Sequence, residues 1–502
     1  MKIIKGFMAI ILFVLVLVIA STLFTEDNSN VISSDTIDLS DEIVFPHDEV
    51  IDVNIVIDEE DYQYLLANAT DEEYVLCDIT YNGYTLSSVA IRAKGNSSLR
   101  DVFNSGDDRF SFKVDLNYFI DGQDLFGIKK LNLNNLFADP TMMAEYIGYE
   151  MFDALDAVSS RTVFTALYIN GEYYGLYLSV EDVNDDFLEN NFGGSDGYLY
   201  KPEMGAGSNL GYISADGSDY TGLFPENETT YTNDSVLELI TAIENNESLD
   251  DVFDVDQYLK YLAISTYTVH MDSYQGSMFH NYYLYDNDGV FEWIPWDLNM
   301  IFNGFPGVSM TDDQAVTFLI DEPVSSTLSN FPLVEAILAN DEYLEIYHGY
   351  IQELIDGYCE NDTFSSRVQE IYDMIDEYVQ ADTNSFYTYT AFELALFSDT
   401  SSGLISFVEA RNENVSSQLS GEIESTNGGL GGVLGTTSGT QPETPPGTRP
   451  GRIQPGVQPN MNQDEAVNVV ATEKDYTVMI VEIIIGIIGI VGATIFIANK
   501  RF

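Results

Sequence analysis

Three short strings, Asn82-Gly83, Asn170-Gly171 and Asn287-Asp288-Gly289, constrain this chain more than any other feature. Each lies between two runs rich in β-branched and aromatic residues. A two-residue hairpin turn requires a left-handed backbone, which Asn, Asp and Gly tolerate. The strings therefore predict hairpins with strands over 74–81 and 84–92, over 163–169 and 173–180, and over 282–286 and 290–295. Alternating runs at 50–57 and 109–115 and a short run at 131–136 add strands. A helix is expected over 58–68, with Asp58 or Glu59 near its start, and another to about Leu155, with Asp139 as N-cap and Pro140 at N1. From residue 184 the apolar spacing turns helical, at 184–191, 234–243, 254–269, 333–339, 343–358, 365–379 and 394–419. Strands first and helices after indicate an α+β fold, β-rich over 43–182 and mostly helical over 183–420.

The third hairpin carries chemistry. A hairpin returns the chain to its starting point, so Asn281 before it and Asp297 after it should meet at its open end. Asp272 lies on the loop leading in. These side chains offer hard oxygen ligands suited to Mg²⁺ or Ca²⁺. A second signal is electrostatic. Seven of the 19 basic residues fall between 92 and 130: Arg92, Lys94, Arg100, Arg109, Lys113, Lys129 and Lys130. Gly95-Asn96-Ser97-Ser98, beside them, is the kind of small polar loop whose backbone N–H groups cradle phosphate. Pairing with the nearby acids Asp101, Asp107 and Asp108 is the competing explanation for the cluster.

Four strings resemble the spore-coat CotH family of atypical secreted kinases: Arg92-Ala93-Lys94-Gly95-Asn96-Ser97-Ser98, Tyr168-Ile169-Asn170-Gly171-Glu172-Tyr173-Tyr174-Gly175-Leu176-Tyr177, His280-Asn281-Tyr282 and Trp296-Asp297-Leu298-Asn299. They fall in the family's order and span about residues 43–419. The resemblance implies a two-lobed kinase-like fold, ATP and a divalent ion (Mg²⁺, Mn²⁺ or Ca²⁺), and transfer to Ser or Thr of secreted or surface proteins. It implies Asp272 at the acceptor hydroxyl, and Asn281 and Asp297 on the metal. Lys113, with Arg92 and the loop Gly95, Asn96, Ser97 and Ser98, would hold the phosphates. Lys113 would pair with Glu145 or Glu150 on the following helix. Glu181 and Asp182 would lie at the hinge near the nucleoside, where a helix-start role is the alternative, and Lys201 near the nucleotide. The chain departs from the family at Asn299, where a second Asp is usual, and it lacks the HRD, DFG and GxGxxG strings of ordinary kinases. A non-catalytic surface scaffold or adhesin with a pseudokinase-like domain is the second reading. With four histidines in all (His47, His270, His280 and His348), a His-rich zinc site is disfavoured.

Composition bounds the partners. With 82 acidic and 19 basic residues, a net charge of −63 repels nucleic acid. A run without charge over 6–24, after Lys2 and Lys5, reads as a signal peptide or N-terminal anchor, followed by a spacer over 25–42. Residues 478–498, interrupted by Glu482 and followed by Lys500 and Arg501, read as a membrane span with a cytoplasmic end, leaving the main domain outside the cell. A Gly-, Thr- and Pro-rich stalk is expected over 421–476, its composition lowest in complexity from Ser425 to Gln463. Cys77 and Cys359 could pair or stay as two free buried thiols. Asn68, Asn96, Asn227, Asn233, Asn246, Asn361 and Asn414 stand in N-x-S/T triplets. Arg367 and Arg411 are expected to pair on helix surfaces.

Overall fold

The structure is a computed structural model that describes residues 39–435, apart from 229, 230, 247, 248 and 309. The expected signal or anchor, the membrane span and most of the stalk lie outside these residues. Among the described residues no helix is long and apolar enough to cross a membrane.

Seven strands close into a barrel: β1 (Val50–Ile57), β2 (Val75–Tyr81), β3 (Tyr84–Lys94), β4 (Ser111–Asp115), β5 (Lys130–Asn134), β6 (Thr162–Ile169) and β7 (Glu172–Glu181), in the order β1-β2-β3-β4-β5-β7-β6. Every pairing is antiparallel except β1 with β6, which closes the ring. The first two hairpins form as their strings require. Asn82 and Gly83 sit at φ 45° and 80°, and Asn170 and Gly171 at 53° and 83°, which makes both turns two residues long. Alternation then sends Val53, Ile55, Ile79, Val114, Leu131, Leu133, Val163 and Leu167 into the barrel, where all are buried.

The α-helices of five residues or more are α1 (Glu59–Ala67), α2 (Ser97–Ser105), α3 (Ala144–Ala154), α4 (Asp185–Phe192), α5 (Asp234–Asn245), α6 (Val255–Tyr267), α7 (Asp312–Val316), α8 (Pro332–Leu338), α9 (Asp341–Asp356), α10 (Asn361–Ala381), α11 (Tyr389–Phe397) and α12 (Leu404–Leu419). A three-stranded sheet lies among them: β8 (Leu199–Tyr200), β9 (Tyr282–Asn287) and β10 (Val290–Pro295), in the order β10-β9-β8. A second apolar core joins α3 and this sheet to the later helices. At its centre Trp293 stacks on Tyr282, with ring centroids 3.9 Å apart.

Several expectations change. The helix expected from Asp139 starts at Ala144, because Asp139 caps from further back: its Oδ2 accepts from the Ala144 N–H at 2.8 Å. Pro140 is therefore not at N1. The segment 394–419 is two helices, α11 and α12, broken around Gly403. Arg411 makes no helix-surface pair. It is fully buried, and its guanidinium donates to the carbonyls of Thr266, Tyr267, Val316 and Phe318. Arg367 does pair, with Glu150, Asp48 and Glu370. Cys77 and Cys359 are free and buried, and burial pushes both thiols up to about 12. The stalk does not begin loose at Ser425, since residues 425–432 lie against the domain.

Arg109 belongs to the scaffold. It is 1 % exposed and bonds Asp382 at 2.9 Å and the carbonyls of Asn135 and Leu176. This contact explains a glycine in the second family string. A Cβ on Gly175 would lie 2.3 Å from Arg109 Nη1, and Gly175 adopts φ 154°.

Candidate functional site

The outer face of β3, β4 and β5 supplies the basic groups. Because Ala93, Phe112 and Leu133 point into the barrel, their neighbours point out. Arg92 lies opposite Lys113, Lys113 opposite Asn132, and Lys94 opposite Ser111. Asn134 is two residues beyond Asn132 on the same face. One side of the barrel thus carries a patch of Lys and Asn facing α3 and the third hairpin.

Within this patch the ion pairs differ from the expected ones. Lys113 binds Asp182, at the end of β7, at 2.8 Å, and Asn132 donates to the same carboxylate at 3.0 Å. Glu150 is taken by Arg367. Neither glutamate of α3 pairs with Lys113. The lysine that faces Glu145 is Lys94, the last residue of β3. Its ammonium donates to Asn134 Oδ1 at 3.0 Å, and Asn134 Nδ2 donates to Glu145 Oε2 at 2.9 Å. Lys94 also lies 5.2 Å from the Trp296 ring centre. Among the described residues Lys94 makes no ion pair. Burial draws its pKa down, against the pull of Asp297 and Glu145. Glu145 is buried, and among the described residues its Oε1 has no hydrogen-bond partner. Burial and the nearby Asp297 raise its pKa.

The third hairpin brings its ends together as its turn requires. Its loop is two residues, Asp288 and Gly289, at φ 53° and 90°. Asp272, on the turn after α6, is fixed from two sides. His280 Nε2 lies 2.8 Å from its Oδ1, and Asn281 Nδ2 donates to its backbone carbonyl at 2.8 Å and to Oδ2 at 3.2 Å. This leaves Asn281 Oδ1 as the oxygen that residue could offer a cation. Asp297 follows β10 and takes a left-handed backbone, φ 58°, as does Asn281 at 61°. Both lie just outside the paired strands, where the left-handed backbone breaks the strand course. Burial, then the like charge of Asp272, pushes the pKa of Asp297 up, while Lys94, His280 and Lys201 draw it down. His270 is buried with both ring nitrogens unpartnered among the described residues, and desolvation pushes it down to about 4.

Asp272, Asn281, Asp297, Glu145 and Lys94 thus converge. Lys201, after β8, joins them, its ammonium 5.0 Å from the Tyr283 ring centre and 5.6 Å from that of Trp296. Other predicted residues are occupied elsewhere. Arg92 pairs with Glu72 beside Tyr74. Glu181 is held by Arg161 at 2.6 Å. Gly95 and Asn96 link β3 to α2, and Ser97 and Ser98 form the first turn of that helix. Arg100 is exposed on it. Lys129 and Lys130 pair with Asp186 and Asp115. The acids Asp101, Asp107 and Asp108 pair with none of the cluster's basic side chains among the described residues. Asn299 donates to the Phe137 carbonyl at 3.0 Å, and its buried Oδ1 is unpartnered.

Sequence reasoning did not single out Lys94 as the lysine facing Glu145, or Trp296 as the ring beneath two ammonium groups. The available signal was position: Lys94 ends a strand directly before Gly95, inside one of the family strings. Among the described residues no three His, Cys, Asp or Glu gather as a metal site. A divalent ion here would rest on Asp297 and Asn281 oxygens completed by water and phosphate, a sparse hard-oxygen set that suits Mg²⁺. Glu145 Oε1 is buried without a hydrogen-bond partner among the described residues, and burial, then the like charge of Asp272, raises the pKa of Asp297, so these acids fit a cation.

Comparison with known proteins adds the family context. A family model described as CotH kinase protein matches residues 91–415. The chain is 26 % identical over 189 residues to the inner spore coat protein H of Bacillus subtilis (strain 168), covering 34 % of this chain and 49 % of that protein. It is 24 % identical over 307 residues to Invasin CotH3 of Rhizopus delemar, covering 55 % of this chain and 48 % of that one. Invasin CotH2 of the same fungus is 23 % identical over 305 residues, 55 % of this chain and 49 % of that one. The chain spans about half the length of the curated relatives it matches.

Proposed function

Because the chain belongs to the CotH kinase protein family, we propose that it is an atypical kinase with a two-lobed, kinase-like arrangement. In this reading it moves the γ-phosphoryl of ATP to Ser or Thr hydroxyls of secreted or surface proteins. The observation that carries the reading is the Lys94–Asn134–Glu145 chain facing Asp297. A lysine ammonium held by an amide, with carboxylates near but not bonded, is poised to take phosphate oxygens. Phosphoryl transfer asks for such positioning and charge neutralisation more than for covalent chemistry.

Each residue then has a task. Lys94 binds phosphate oxygens, and Glu145 orients it through Asn134. Lys201 and Lys113 add positive charge along the same face. Asp272, locked by His280 and Asn281, accepts the proton of the acceptor hydroxyl as that oxygen attacks the γ-phosphorus. The bond from the γ-phosphorus to the bridging oxygen breaks, and ADP leaves. Asp297 and Asn281 would hold a divalent ion, whose contribution is to neutralise the phosphate charge. Surface location is supported by the names of the relatives, a spore coat protein and two invasins. The apolar segment 478–498 would provide the tether.

Those names, together with Asn299 in place of a second Asp, also favour the scaffold or adhesin reading. One experiment separates the two. The full chain is incubated with γ-labelled ATP and Mg²⁺, Mn²⁺ or Ca²⁺, beside Asp272→Ala and Asp297→Ala, with folding checked by thermal melting. Label on protein that both substitutions abolish supports the kinase. No label, with melting unmoved by ATP and metal, supports the adhesin.

A further inference from the structure

The glycine-rich run that leaves α12 is wrapped around one carboxylate. Glu322 is 2 % exposed. Its Oε1 accepts from the backbone N–H groups of Asn427 and Gly429, each at 2.7 Å, and its Oε2 from that of Gly431 at 2.8 Å. Its own carbonyl accepts from the Gly432 N–H at 2.6 Å. Three N–H groups on one acid require a curled backbone, and Gly428, Gly429 and Gly431 adopt φ 86°, 88° and 88°. A Cβ on Gly431 would stand 2.0 Å from the Ser326 carbonyl oxygen. Asn427 closes the loop, accepting from the Leu430 N–H and donating to the Gly431 carbonyl, both at 2.9 Å. Glycine here permits wrapping, where composition alone suggests slack.

The segment that carries Glu322 reaches the candidate site. The Val324 N–H bonds the Glu322 carbonyl at 2.8 Å, and the Ser325 N–H bonds the Gln275 carbonyl at 2.9 Å. Gln275 is fully buried, and its own N–H reaches Ser273 Oγ at 3.3 Å. Ser273 Oγ in turn donates to the His270 carbonyl at 2.6 Å. Asp272 sits inside this turn. The turn has no slack, since a Cβ on Gly276 would lie 2.0 Å from the Met271 carbonyl oxygen.

We propose that Glu322 is a positioning residue that couples the root of the tail to the Asp272 turn. By gathering residues 427–431 it fixes the segment 322–326, and the Ser325–Gln275 bond passes that order to the turn. The catalytic consequence rests on the role of Asp272 proposed above. A pull that strips residues 427–431 from Glu322 slackens the turn and slows transfer, without touching the groups that would hold ATP.

The test uses the full chain as wild type, Glu322→Gln and Asn427→Ala. Glu322→Gln weakens the charge-assisted bonds. Asn427→Ala opens the loop and leaves Glu322 intact, so it decides alone should Glu322→Gln fail to fold. Backbone hydrogen exchange is expected to quicken about tenfold or more in residues 425–432 and in 270–281, with β3, β4 and β5 unchanged. The kcat of transfer is expected to fall about fivefold while KM for ATP stays within about twofold. A loosened tail beside a turn that exchanges at the wild-type rate overturns the coupling, as does a loss carried by KM. If the wild type transfers no phosphate, the kinase reading fails, and the exchange result still decides the coupling.

Discussion

Among single residues, Lys94 and Lys113 carry the clearest lesson. Both lie on one outer face of the barrel, and nothing in their spacing ranks one above the other. The decision comes from residues remote in sequence. Asp182 claims Lys113, whereas Asn134 and Glu145 leave Lys94 without a bonded carboxylate. A strand pattern reports which face a side chain takes but not which distant acid meets it. Gly175 shows the reverse: its place in a family string was visible, and its reason was not, until Arg109 was found against it. Gly175→Ala is expected to push Arg109 off Asp382 and leave both charges buried, costing about 3–5 kcal/mol. Urea denaturation of the two proteins measures that loss. An unchanged midpoint would remove Arg109 from its structural role.

At the scale of elements, the hairpins were legible because their turns are local chemistry. Hairpin geometry placed Asn281 and Asp297 at the open end with Asp272 on the loop leading in; it did not specify the hydrogen bonds that Asn281 makes to Asp272. Barrel closure was not legible, because the parallel β1–β6 pairing joins strands with no short connection. The start of α3 was misread because a buried Asp can cap from several residues upstream as well as from the N-cap itself. The turn between α6 and the third hairpin makes a prediction through His270. Its folded pKa, pushed to about 4, lies below the unfolded value of about 6.5. The unfolded chain therefore binds the extra proton first, and stability present above pH 6.5 is lost as pH falls toward 4. By pH 5 the loss is about 2 kcal/mol. Asp139 and Glu292, raised to about 6 and about 7, act in the opposite sense, so the comparison is made against His270→Phe. The wild type should lose more stability than the variant between pH 7 and pH 5. Equal slopes would show that His270 does not stay neutral in the fold.

Across the whole molecule, the sequence conveyed the division of labour, strands early and helices late. It did not convey how the parts lock together. The interlocking depends on single side chains such as Arg109, Arg411 and Glu322, which look like ordinary surface charges until their burial is known. Net charge is the other global property. At −63 the folded chain repels itself, and salt screens that repulsion. The melting temperature is expected to rise between about 20 mM and about 500 mM NaCl, where exposed pairs contribute little either way. A fall would mean that the ion pairs outweigh the repulsion.

In the proposed kinase, phosphoryl transfer depends on Lys94, held by Asn134 before Glu145 and Asp297. The most direct measurement compares label transfer from ATP by the full chain as wild type, Lys94→Met and Lys113→Met, at matched folded fractions. Lys94→Met is expected to lose about 10²–10³-fold in kcat. Lys113→Met should stay within about tenfold of wild type, because its loss frees Asp182 without removing the group that meets the phosphates. Transfer that survives Lys94→Met and dies with Lys113→Met would contradict this dependence on Lys94, and so would a wild-type chain that transfers nothing.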